Sequence, residues 1–108
     1  MERYTPHKFE ESLYLTDTFD FPEWDKFKPM IVLKLSALFE ERDNIIEDIV
    51  DGSASIAEWM DSMSVNSFDD LQESEKLLIS LLSKQRKRTK KEQDVIDITK
   101  QILQMIKN

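Results

Sequence analysis

His7 is the sole histidine of the chain, flanked by Pro6 and Lys8 with Glu10 and Glu11 as its nearest acids in sequence. One imidazole cannot build a His-rich metal site. A Ser-His-Asp relay of the hydrolase kind would need a G-x-S-x-G nucleophile turn, which is absent. Carboxylates are plentiful in one stretch: Glu40, Glu41, Asp43, Glu47, Asp48 and Asp51. A dimetal bundle presents Glu together with Glu-x-x-His pairs, and no E-x-x-H occurs here. Residues 43–51 also lack the ligand spacing, central Gly and closing Glu of a calcium loop. The stretch reads as a solvated acidic helix face. The single glycine, Gly52, excludes the Gly-rich loops that cradle phosphates, and the absence of cysteine excludes disulfides, thiolate metal sites and thiol nucleophiles. No catalytic, metal or cofactor site is expected, and the protein reads as a non-enzyme.

Binding chemistry is better represented. Lys84-Gln85-Arg86-Lys87-Arg88-Thr89-Lys90-Lys91 places six cations in eight residues. The segment could contact phosphates without reading bases, or serve as a nuclear localisation signal. Its counterweight is the rest of the chain: Met1–Glu75 holds 19 acids and 6 bases, Lys76–Asn108 holds 3 and 9, and the net charge is −7. A basic end folded back on acidic helices would cancel the asymmetry internally. Near the N-terminal side, Asp17, Asp20, Glu23 and Asp25 alternate with Phe19, Phe21, Trp24 and Phe27, as in an acidic–hydrophobic docking segment. The same pattern fits aromatics that cap a core while the acids face water. Trp24 and Trp59, with Phe27, are the candidate interface anchors, since Trp and Tyr carry much of the binding energy at protein contacts.

The elements that must position these groups are helices. Of 108 residues, 40% are hydrophobic and 34% charged, with 1 Gly and 3 Pro. That is apolar enough for a modest core and too poor in turn-makers for a β-sandwich or barrel. Asp20-Phe21-Pro22-Glu23 resembles a capping box opening a short helix through Trp24 and Phe27. Pro29 breaks it, and a second helix from about Pro29 to Val50 carries Ile31, Leu35, Leu38, Ile45, Ile46 and Ile49 on one face. Polar residues Glu40–Asn44 would bend it, and Gly52 would stop it. Ser55 with Glu58 predicts the cap of a third helix bearing Ile56, Trp59, Met60 and Met63. Ser67 opens a fourth, with Phe68, Leu71, Leu78, Ile79 and Leu82 inward, widened by Leu77 and Leu81, and so the most central. Thr89-Lys90-Lys91-Glu92 is a capping box that separates a fifth helix, Lys90 to Ile106, from the fourth.

The expectation is an all-α protein: a small bundle of four to five helices with a partly extended N-terminal arm. The whole chain, 1–108, reads as a single helical domain, with the arm at 1–19 and the helical core at 20–108. MERYTPHKFEE has no apolar core of a secretory signal, and Met30–Phe39 is too short and interrupted to span a bilayer. No membrane association is expected, and the location reads as intracellular and cytoplasmic, or nuclear in a eukaryote. The function expected is a helical protein–protein interaction module: an adaptor, a regulatory subunit or an inhibitor with a protein partner. One alternative is nucleic-acid binding through residues 84–91. Another is an acidic mimic of nucleic acid, as a small viral inhibitor would be. A homodimer through the wide apolar stripe of the fifth helix is a further expectation.

Overall fold

The computed structural model describes residues 14–107. Within them run a short helix α1 (Tyr14–Thr18), a 3₁₀ turn (Pro22–Lys26), α2 (Pro29–Ile49), a second 3₁₀ turn (Val50–Gly52), α3 (Ala54–Ser62), α4 (Phe68–Ser83) and α5 (Lys90–Ile106). No strand occurs among the described residues. The all-α small bundle is therefore observed. The reading of His7 lies outside the described residues. Of the expected arm, residues 14–18 are helical, and Leu15 N–H donates to Ser36 Oγ of α2 at 3.1 Å.

Local chemistry accounts for most boundaries. Pro29 forces Lys28 into extended backbone, φ −66° and ψ 146°, and then starts α2 from a fixed φ. Ser67 caps α4 by accepting from Asp70 N–H at 3.1 Å. Thr89 and Glu92 close a reciprocal capping box: Glu92 N–H donates to Thr89 Oγ1 at 3.1 Å, and Thr89 N–H donates to Glu92 Oε1 at 3.0 Å. α5 then covers Lys90–Ile106, the span its periodicity predicts.

Four expectations are corrected. Asp20 caps nothing: Phe21 stands at the start of a single 3₁₀ turn without a side-chain cap. α2 shows no break at Glu40–Asn44, because Arg42 turns inward and finds partners there. Gly52 closes a 3₁₀ turn and does not adopt the left-handed backbone of a terminal glycine cap. Ser53, not Ser55, caps α3: its hydroxyl accepts from Ile56 N–H at 3.5 Å and donates to Glu92 Oε2 at 2.7 Å. Ser55 instead donates to Leu81 O at 3.3 Å.

α5, not α4, is the central helix. It packs against both α2 and α4, and Val95, Ile96, Ile98, Thr99, Ile102, Leu103 and Ile106 are all buried. Its stripe is covered within the molecule, which removes the basis for a dimer through it. On α2 the buried line is Val32, Leu35, Ser36, Phe39, Arg42 and Ile46, rotated from the expected one so that Ile31, Leu38, Ile45 and Ile49 are only half-buried. On α4 it is Leu71, Ser74, Glu75, Leu78 and Leu82, and Leu77 faces solvent.

Candidate functional site

Most large apolar side chains are covered. The exposed exceptions among the described residues are Met30 at 64%, Met60 at 46%, Met63 at 40% and Leu77 at 37%. Met60 is exposed on the last turn of α3, and Met63 follows the helix directly. Met63 itself leaves the helix in extended backbone, and α4 returns past it after a short link. Met63 and Leu77 thereby line one shallow cleft of about 170 Å³ with Ser62, Ser64, Asp70, Glu73 and Ser74.

Trp59 holds the cleft together from below. The indole is buried, and Nε1–H donates to Ser74 O at 2.8 Å and Ser74 Oγ at 3.1 Å. This ties α3 to α4 at Ser74, one of the residues that line the cleft. Under it lies a polar network that joins three helices. Arg42 of α2 forms a bidentate pair with Glu75 of α4, and its Nη1 also donates to Thr99 Oγ1 of α5 at 3.0 Å. The guanidinium sits 4.8 Å from the Phe39 ring centroid and 5.4 Å from that of Trp59. Thr99 Oγ1 donates onward to Val95 O at 2.7 Å. Arg42 Nε is left with no hydrogen-bond partner among the described residues.

The rim of the cleft is anionic. Asp70 accepts from Asn66 N–H at 3.1 Å. Glu73 meets Lys76 at 3.2 Å, both side chains well exposed. On α3 and α4 the exposed acids Glu58, Asp61, Asp69 and Glu73 outnumber the one exposed cation, Lys76, so this face is acidic on balance.

The basic segment lies at the other end of α4, and the fold uses half of it. Lys90 pairs with Asp94 at 3.1 Å and Lys91 with Asp48 at 3.2 Å. Arg88 folds back: Nε donates to Gln93 Oε1 at 2.9 Å, and Nη1 to Gln85 O at 3.3 Å and Leu82 O at 3.4 Å, near the end of α4. Lys84, Arg86 and Lys87 are exposed and make no ion pair among the described residues. The internal cancellation of charge is therefore partial.

The remaining candidates are structural. Trp24 is buried, with Nε1–H donating to Phe19 O at 2.9 Å. It packs with Phe21, half-buried Phe27 and Phe68 at centroid separations of 5.2–6.1 Å. Neither Trp24 nor Trp59 offers its ring to a partner, because each is needed to exclude water from the core. No group of three or more His, Cys, Asp or Glu among the described residues could hold a metal ion. No helix among the described residues is long and apolar enough to cross a membrane.

The cleft itself escapes the sequence reading, which places Met60, Met63 and Leu77 on inward faces. The signal was present. In Leu77-Leu78-Ile79-Ser80-Leu81-Leu82 the apolar residues surround the helix, whereas one neighbour can cover only a stripe. Some had to face water.

The chain matches no protein-family model, no curated protein and no solved structure.

Proposed function

We propose that the protein is a non-enzymatic helical interaction module that docks a partner protein on the face made by the end of α3 and α4 as far as Leu77. The observation that carries this reading is that exposed Met63 and Leu77 line one cleft, with exposed Met60 on the helix that leads into it. Scattered exposed apolar residues are ordinary, whereas a contiguous group with a polar rim marks a contact surface. Methionine suits such a surface, since its unbranched, polarizable side chain adapts to the partner. The test is affinity capture of the tagged chain from its native lysate with nuclease present, beside the Met63→Glu/Leu77→Glu variant. A stoichiometric protein retained by the wild type and lost by the variant, with unchanged helical circular dichroism, supports the reading. Capture that ignores the substitutions refutes it.

A second reading is contact with nucleic-acid backbone through Lys84, Arg86 and Lys87, the exposed cations of the basic segment whose side chains make no ion pair or hydrogen bond among the described residues. Capture that collapses under nuclease, and under charge reversal of these three residues, would put this reading first.

A further inference from the structure

The α3–α4 face has a definite chemical preference, and the argument here rests on the docking face proposed above. We infer that its occupant is a cationic amphipathic helix of a partner protein, with one large apolar side chain seated between Met63 and Leu77 and Lys or Arg residues set against the acidic rim.

Three observations carry this. First, the cleft volume of about 170 Å³ is close to the roughly 150 Å³ of a cavity known to admit a benzene-sized group. It takes one Leu-, Phe- or Met-sized anchor and no extended ligand. A helix presents single apolar residues to a groove in this way. Second, the face is acidic on balance, although Lys76 pairs with Glu73. Asp70 and Glu73 line the cleft, Glu58, Asp61 and Asp69 are exposed on the same two helices, and Lys76 is the first cation after Arg42. An anionic partner, nucleic acid included, is repelled there, while a cationic one is steered in. Third, the competing occupants match the cleft less well. There is no sheet edge among the described residues for an extended peptide to pair with. A second copy of this chain offers either Lys84–Lys91, which contains no apolar side chain, or Met30, a single exposed large apolar residue near Lys26, Lys28 and Lys34. A dimer in sedimentation that Leu77→Glu dissociates would overturn the inference in favour of that copy.

The probe is a fluorescein-labelled synthetic helix with Leu at i, i+3, i+4 and i+7 and Lys elsewhere, titrated with the full chain and read by anisotropy at low and at physiological salt. Two controls share its length: Glu in place of Lys, and Ala in place of Leu. The expected result is saturable binding of the Leu/Lys helix alone, weakened by salt. Leu77→Glu should weaken it at least about tenfold, as loss of a central contact does. Asp61→Lys/Glu73→Lys should weaken it chiefly at low salt. Glu40→Lys/Glu41→Lys, on exposed acids of α2 away from the cleft, should leave the location-specific part unchanged. Equal binding of the Lys and Glu helices overturns the inference, as does binding that Leu77→Glu leaves intact. If no synthetic helix binds while the lysate partner is still lost with Met63→Glu/Leu77→Glu, the occupant is of another class and the docking face stands. If the lysate partner also ignores those substitutions, both fall.

Discussion

At one end of the bundle water is excluded by rings alone; at its middle it is excluded around an ion pair. The first region stacks Phe21 and Trp24 with centroids 6.1 Å apart and sets Phe68 edge-on to Trp24 at 5.2 Å, with Leu15, Leu35 and Ile102 behind them. The second surrounds Arg42 and Glu75, whose side chains are 3% and 1% exposed, with Phe39, Trp59 and Thr99. Rings and aliphatic chains tolerate exchange when volume is kept. A buried ion pair does not, because removing one member leaves the other charged or polar group without water or partner. The aromatic end thus supplies non-directional burial. The network supplies direction: its three members come from α2, α4 and α5, and only one mutual register lets all three meet.

The largest effect should come from breaking that network on one side. Arg42→Met leaves Glu75 buried and unpaired, and is expected to cost about 3–5 kcal/mol. Replacing all three, Arg42→Met/Glu75→Leu/Thr99→Val, should recover most or all of the loss, since an apolar set of similar shape carries no desolvation penalty. Urea denaturation of the wild type, single and triple variants decides it. A single variant within about 1 kcal/mol of wild type would place it among exposed ion pairs and remove the contrast between the two regions.

A smaller effect separates the two tryptophans. Trp24→Phe keeps a ring in the cluster but loses the bond to Phe19 O, at an expected cost of about 1–2 kcal/mol. Trp59→Phe loses two bonds to Ser74 and also weakens the ring under Arg42. It should therefore cost more, and it alone should loosen the α3–α4 face. Denaturation midpoints rank them, and hydrogen exchange across 60–77 locates the loosening. A greater cost at Trp24 would mean that the rings matter more than the network.

The boundaries set by single residues were legible in the sequence. Pro29, the Ser67 cap and the Thr89/Glu92 box each act over one turn, so a local reading suffices. The network was not read, although its signature is regular. Arg42 sits in the line Leu35, Phe39, Arg42, Ile46; Glu75 in Leu71, Glu75, Leu78, Leu82; Thr99 in Val95, Thr99, Ile102, Ile106. Each is a polar residue inside an apolar stripe, but only the pairing of three helices shows that their charges and hydroxyls meet. The Ser53 cap was missed for the same reason: its advantage over Ser55 comes from Glu92, 39 residues away. The cleft depends on how α3 and α4 are rotated about their axes, and Trp59 and Ser74 set that rotation across the chain.

The last contrast is between two buried carboxylates. Glu75 is held by a cation, Glu92 by neutral donors. Burial is the largest influence on Glu92 and raises its pKa, but hydrogen bonds from Ser53, the Thr89 backbone, Gln85 and the Thr89 side chain together outweigh it, so the carboxyl lies below its ordinary value of 4.5. The unfolded chain, with the ordinary value, then binds the proton more readily than the folded one. Glu92 therefore contributes stability that is complete above about pH 4.5 and is lost as pH falls through the lower folded value. Glu92→Gln should cost about 1 kcal/mol at neutral pH, the scale of a lost helix cap. The deficit should shrink as the pH falls below the ordinary 4.5 and through the lower folded value, where the wild-type carboxyl takes up its proton. Urea midpoints of both proteins between pH 7 and pH 3 test this. A deficit that stays constant over that range would mean that the amide costs stability through its geometry and lost acceptor oxygen, and that the charge of Glu92 contributes nothing.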